Sequence, residues 1–375
     1  MIHVRWSSVA VAVLALLASS ARSSAAQSAA PTPAADSAFK PTGRVWGLIF
    51  ADYFYKLRGD SAWGGSQYAR VPRDLHAGQL RRLYLGYDYQ ISPDFSSRVL
   101  LESNNTSTFA NGSYGVFVKL GYLSWRRPIG LPVTVTTGLL PTPIFTFPEA
   151  AWGYRSIEKE ALDARGIGSS ADQGVSIEGA LGSDGQFRVM LGNNSGTQPA
   201  RRRSKAVYTS VAHSFLDKRL SVELMGTYLP AGPDRSRSVG RTYLGWTSKR
   251  IRLGGELAIV DEEAPIEFAQ AAGTNVRRLL ASGFVALPFT VGDLPLNVFG
   301  RFDLYDPDIR FAASRGYVTP DAFYTERLVT IGLDVKLAKD VHIMPNLWIN
   351  DYRSRGGAIT RAADVVPRVT MYWRF

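Results

Sequence analysis

Apolar and polar residues alternate with period two along most of this chain, from about residue 41 to its end. The stretch 365–375, VVPRVTMYWRF, shows the pattern well. Val369, Met371, Trp373 and Phe375 fall on one face, and Arg368, Thr370, Tyr372 and Arg374 on the other. Successive side chains of a strand point to opposite sides, so such a segment lies between two different solvents. Within 78–91, Leu83, Leu85, Tyr87 and Tyr89 likewise oppose Arg82, Tyr84, Asp88 and Gln90. The same reading predicts strands at 43–57, 78–91, 95–103, 114–126, 133–140, 174–182, 186–194 and 205–215. It continues with 219–229, 239–247, 251–260, 276–289, 294–306, 325–337, 341–351 and 365–375. The first, GRVWGLIFADYFYKL, is apolar on both faces, so its orientation stays open. Ser92-Pro93-Asp94, Ser183-Asp184-Gly185, Leu216-Asp217-Lys218 and Ala338-Lys339-Asp340 supply tight turns.

About sixteen strands result, an even number, with long and short connections alternating. That rhythm predicts an all-β fold, a transmembrane antiparallel β-barrel with a water-filled lumen. Long loops are expected outside and short turns in the periplasm, which puts both chain ends in the periplasm. Tyr87, Tyr89, Trp125, Phe215, Trp246, Phe289 and Phe375 then cluster near the periplasmic ends of strands. Tyr53, Tyr55, Tyr228 and Tyr305 fall near the outer ends, which gives the two aromatic belts expected at membrane interfaces. No later run of apolar residues is long enough for a helical span.

The N-terminus reads as a signal peptide over 1–26, with Arg5, an apolar run Val9–Ala18 and a small-residue site at Ser24-Ala25-Ala26. Residues 27–40, rich in Ala, Pro and Ser, read as a flexible periplasmic lead-in, and 41–375 as the barrel domain. The absence of cysteine fits export through an oxidising compartment. Formal net charge is +11; Arg5 and Arg22 lie in the leader, which leaves +9 on the mature chain. Such a chain attracts anions, and the barrel pattern favours anionic solutes over nucleic acid.

Four stretches carry a family resemblance: LRRLYLGYDYQIS at 80–92, GLLPTPIF at 138–145, WGYRSIEKEALDARGIGSSADQGVSIEGALG at 152–182 and VFGRFDLYDPD at 298–308. They resemble the phosphate-selective porin O and P family. That resemblance implies a sixteen-stranded outer-membrane channel for anions, usually a homotrimer. Members with phosphate specificity combine arginine ladders with a lysine cluster, whereas this chain is rich in Arg and poor in Lys. The end of the chain also resembles the C-terminal signal of outer-membrane barrels. It implies that Trp373 and Phe375 are read by the barrel assembly machinery.

The longest connection, 141–172, is the third outer loop. Its aromatics and a helix-like patch at Ser156–Arg165, with Ser156 as the N-cap, predict a loop folded into the barrel that narrows the pore. Tyr154, Arg155, Glu158, Lys159 and Arg165 are its candidate wall residues. Facing them, Arg82, Arg98 and Arg301 are candidate solute contacts. Further lumen charges are Lys119, Arg188, Arg241, Arg252, Arg368 and Arg374, with Asp88, Glu102, Glu178, Glu223, Glu256, Asp303 and Asp334. Arg201–Arg203 and Lys205 form a basic run in an outer loop, suited to anions or lipopolysaccharide phosphates. The reading needs neither cofactor nor metal. It favours a passive channel over a barrel enzyme, because His213 and Ser214 point to opposite sides of one strand and no hydrolase motif occurs. A plugged structural or adhesive barrel is the alternative, which the lumen aromatics Trp46, Phe50 and Trp348 keep open.

Overall fold

The computed structural model describes residues 39–61, 66–200, 203–232, 235–263 and 275–375. The expected leader at 1–26, all but the last two residues of the lead-in, and Arg201 and Arg202 of the basic run lie outside them.

Sixteen strands form one closed antiparallel ring. In order they are β1 (Thr42–Tyr55), β2 (His76–Gln90), β3 (Phe95–Thr108), β4 (Tyr114–Arg126), β5 (Val133–Pro141), β6 (Ala171–Leu181), β7 (Gly185–Gly192) and β8 (Ala206–Phe215). Then come β9 (Leu220–Gly232), β10 (Arg235–Thr247), β11 (Arg252–Glu263), β12 (Asn275–Val291), β13 (Leu294–Asp306), β14 (Tyr324–Ala338), β15 (Val341–Ser354) and β16 (Asp364–Arg374). Each strand pairs with its sequence neighbours, and β1 closes the ring on β16. No helix among the described residues is long and apolar enough to cross a membrane.

The ring is apolar outside and charged inside. Val45, Leu85, Val99, Val118, Ile177, Leu224, Leu257, Phe302 and Ile331 are exposed on its outer surface. Inward positions of the ring carry Asp52, Arg82, Glu102, Glu223, Arg241, Arg301 and Asp303, all buried. Each outward Leu or Val gains up to about 1.5–3 kcal/mol when an apolar medium replaces water around it. This distribution therefore suits lipid outside and polar contacts within. The first strand takes its orientation from the same rule, with Trp46, Leu48, Phe50, Asp52 and Phe54 inward.

Of the five register shifts along the described strands, two re-aim a charged side chain. The β1–β2 register shifts between Phe50 and Ala51, which frees Arg81 to turn inward beside Arg82. The β3–β4 register shifts between Leu100 and Leu101, and the extra residue is Lys119. A bulge re-aims a side chain in this way at the cost of one ladder pairing.

The β1–β16 seam is fastened at both ends. Gly47 N donates to Phe375 O at 2.8 Å and Phe375 N to Gly47 O at 3.1 Å. The Phe375 ring covers Gly47 so closely that a Cβ there would sit 2.1 Å from it. At the far end buried Lys56 pairs with buried Asp364 at 2.8 Å, and Arg361 pairs with Asp60 at 3.0 Å.

The long connection between β5 and β6 holds two helices, α1 (Pro143–Trp152) and α2 (Ala161–Ala164). This differs from the expected helical patch at 156–165 capped by Ser156. Pro143, with its fixed φ, starts α1 after Thr142, and Gly153 at φ 71° ends it. Glu160 caps α2 by accepting from Asp163 N. Between the helices, the carbonyls of Ser156 and Ile157 are taken by strand arginines, so that stretch is not helical.

Candidate functional site

The connection between β5 and β6 presents two unlike faces. One is apolar and closed: Ile144, Phe145, Trp152, Tyr154, Ile157 and Leu162 are all buried. Ile144, Phe145 and Leu162 pack with Met190, Met225 and Val260 of the strands. Trp152, Tyr154 and Ile157 pack with Phe299 and Met344. The other face, with Thr146, Glu149, Ala150, Arg155, Lys159, Asp163 and Gly166, is exposed or half-buried.

Arginines on the strands hold the backbone of this segment. Arg188 on β7 donates to Pro141 O at 2.8 Å, and Arg241 on β10 to Ile144 O. Arg252 on β11 reaches Trp152 O at 3.2 Å. Arg81 on β2 reaches Ser156 O at 2.7 Å, and Arg368 on β16 reaches Ile157 O at 2.6 Å. Arg301 on β13 donates to Lys159 O at 2.5 Å. A carbonyl buried away from water needs a donor, and a guanidinium brings five in a rigid fork. The side chains add two ties. Trp348 Nε1 donates to Glu158 Oε2 at 2.8 Å, and Arg165 pairs with Glu326 of β14 at 3.1 Å. For Glu158, burial pushes the carboxyl up, but Arg81, Arg368 and Arg301 outweigh it and hold it below the ordinary range.

β2, β3 and β4 carry a further charged group that reaches the end of the connection. Glu102 lies between Arg82 at 2.8 Å and Lys119 at 3.1 Å, and Lys119 also donates to Ser170 Oγ at 2.7 Å. Arg155 pairs with Glu149, and with Asp163 at 3.1 Å. Lys159 is the least engaged base, 40% exposed and 4.0 Å from Asp163. Nearer the short-turn end Arg98, 37% exposed, grips Asp88 with two bonds of 2.5 and 2.8 Å.

The candidate residues thus divide. Arg155 and Lys159 stand on the half-open face, while Arg82 is held by Glu102 and Arg98 by Asp88 on β2 and β3. Tyr154 and Glu158 belong to the closed face. Arg165 is 4% exposed and lies over the Tyr305 ring. Arg301 is 2% exposed, with Asp303 and the Lys159 carbonyl as partners. Trp373 and Phe375 lie at the short-turn end of the seam. Arg81 escaped the sequence reading, because strict alternation sets it opposite Arg82 and the bulge that turns it leaves no mark in the sequence.

No family model matches this chain, and no curated protein matches it in sequence. Its fold is shared with solved outer-membrane proteins. An anion-selective porin from Comamonas acidovorans superposes with TM-score 0.61 at 15% identity, over 90% of this chain and 100% of that one. The outer membrane channel DcaP of Acinetobacter baumannii gives 0.61 at 12%, over 89% and 97%. OmpT of Vibrio cholerae, in a trimer form, gives 0.56 at 12%, over 89% and 99%. At such identities the likeness is one of fold.

Proposed function

We propose that this protein is a porin of a bacterial outer membrane, a passive channel for small hydrophilic solutes with modest anion preference. The carrying observation is the inverted distribution: a closed sixteen-strand ring with lipid-type residues outside and charged residues within. In this reading the connection between β5 and β6 folds into the lumen. What supports that is its polar ties to inward side chains of β2, β7, β10, β11, β13, β14, β15 and β16. The solute path then runs between its half-open face and β2–β4. The anion preference rests on Arg82, Arg98, Lys119, Arg155 and Lys159 against Asp88, Glu102, Glu149 and Asp163, five charges to four. The preference is therefore slight, and the phosphate selectivity suggested by the sequence motifs is a narrower reading.

A cleaved leader, recognition of the β16 end by the barrel assembly machinery, lipopolysaccharide around the outer rim and a homotrimer complete the proposal. The trimer draws on the related Vibrio cholerae protein and on the motif resemblance. Purified protein in a planar bilayer is expected to give discrete conductance steps. In a KCl gradient its reversal potential is expected to fall on the chloride side. Cation selectivity overturns the anion preference, and an absence of conductance from correctly folded protein favours the plugged barrel.

A further inference from the structure

Behind α2 lies a cavity of about 10 Å³, at the margin of what one water needs. Glu160, Glu256, Tyr243, Ser282 and Arg301 are among its lining residues. The charges there do not balance. Arg301 is matched by Asp303 through bonds of 2.8 and 2.7 Å. That leaves Arg241, with Arg252 at the edge, to answer three carboxyls. Arg241 is 2.5 Å from Glu223, 3.6 Å from Glu160 and 3.7 Å from Glu256. Glu160 Oε1 and Glu256 Oε2, both turned to the Arg241 guanidinium that Glu223 already holds, are buried with no hydrogen-bond partner among the described residues, and a proton on one of the two carboxyls relieves their mutual repulsion.

We propose that Glu160 and Glu256 share one proton that latches the β5–β6 connection to the barrel wall, so that alkaline pH releases the connection and alters conduction. This rests on the reading that the connection lies inside the lumen. Glu160 caps α2, so its position is coupled to the fold of the connection. The groups that face it are Glu223 on β9, Arg241 and Tyr243 on β10, Arg252 and Glu256 on β11, and Arg301 and Asp303 on β13. Its own segment adds Arg155, Lys159 and Asp163.

Burial first, and Glu256 next, push the Glu160 carboxyl well above its ordinary range. The docked state therefore binds a proton that the released state gives up. The latch is intact at and below the ordinary carboxylate range and weakens as pH rises through the raised value. Loss of that proton leaves three carboxylates facing two guanidiniums in a nearly dry pocket, which favours separation of α2 from β11.

The chain has no cysteine, so a single thiol reports on the connection. Ala161→Cys places it in the cavity wall, and Ala150→Cys places an exposed control on α1. The expected ratio of their labelling rates by a membrane-impermeant thiol reagent is low at neutral pH. On the alkaline limb it rises roughly tenfold per pH unit, as release coupled to one proton requires. Glu160→Gln is expected to abolish that slope, and Glu256→Gln to do the same should the first variant fail to assemble. A ratio low and flat across the pH range, or a slope retained in either variant, overturns the latch while leaving the connection in place. Fast labelling of Ala161→Cys at every pH overturns both the latch and the inward placement.

Discussion

Lys159→Glu tests the solute path with little disturbance of the fold. The side chain is 40% exposed, its nearest carboxylate is 4.0 Å away, and the backbone carbonyl that Arg301 holds is unaffected. The substitution changes the local charge by two units. An ion passing about 8 Å away, one Debye length at physiological salt, feels each unit as about 0.2 kcal/mol in a water-like dielectric. Two units move an anion and a cation by about 0.4 kcal/mol in opposite senses, so their difference changes by about 0.8 kcal/mol. That corresponds to a fall of about three- to fourfold in the anion-to-cation permeability ratio, and a lower local dielectric enlarges it. Lys159→Gln is expected to give about half the free-energy change. The assay is the reversal potential of single channels in a KCl gradient, with conductance steps confirming assembly. An unchanged reversal potential in a conducting Lys159→Glu channel refutes the placement of the path along this face.

Glu102→Gln removes the carboxylate shared by Arg82 and Lys119, and by the same arithmetic it should raise anion preference about twofold in the same assay. Arg368→Lys keeps the charge but loses the fork that holds the Asn346 side chain, the Tyr68 hydroxyl and the Ile157 carbonyl. A loss of about 1–3 kcal/mol is expected for the groups left unpaired, seen as a lower denaturation midpoint and faster proteolysis between residues 142 and 170. Glu158 sets an acid limit: because its folded value is depressed, its contribution is full above the ordinary carboxylate range and is lost as pH falls through the depressed value. Protease sensitivity of the same connection should therefore rise in acid, and Glu158→Gln should be sensitive already at neutral pH. Deleting Phe375 removes two backbone bonds and the cover of Gly47, and should reduce the fraction of protein that migrates as a folded barrel on an unboiled detergent gel.

The strand pattern was legible because the two faces of a barrel strand meet different solvents, as Val369, Met371 and Trp373 against Arg368, Thr370 and Tyr372 make plain. The boundaries at β4 and β13 agree to the residue, and most others fall within a few. The connection was legible as important, from its length and aromatics, but not in detail. Residue type suggested that its arginines and those of the wall face solute. In the structure Arg241, Arg252, Arg301 and Arg368 are occupied with backbone carbonyls and carboxylates, a use that a list of charges cannot reveal. The helix positions were missed for a related reason. Ser156 looked like a cap, yet its carbonyl is claimed by Arg81, which is itself turned inward by a bulge that alternation does not predict.

The seam between β1 and β16 also bears on how the ring comes into being. Asp52 and Thr370, which meet across it, are 318 positions apart. Bringing such ends together costs about 5 kcal/mol in chain entropy before any seam contact forms, by the logarithmic scaling of loop closure. With fifteen of its sixteen pairings made, the sheet still presents two unpaired edges, each a template for another chain. No intermediate size of ring escapes this, so closure is all or nothing. Fastenings at both ends of the seam, Phe375 on Gly47 and Asp364 on Lys56, favour the one register in which both engage. A chain slipped by two residues keeps its faces correct but loses both fastenings, and the surviving edges then invite a second molecule in place of the ring's own first strand.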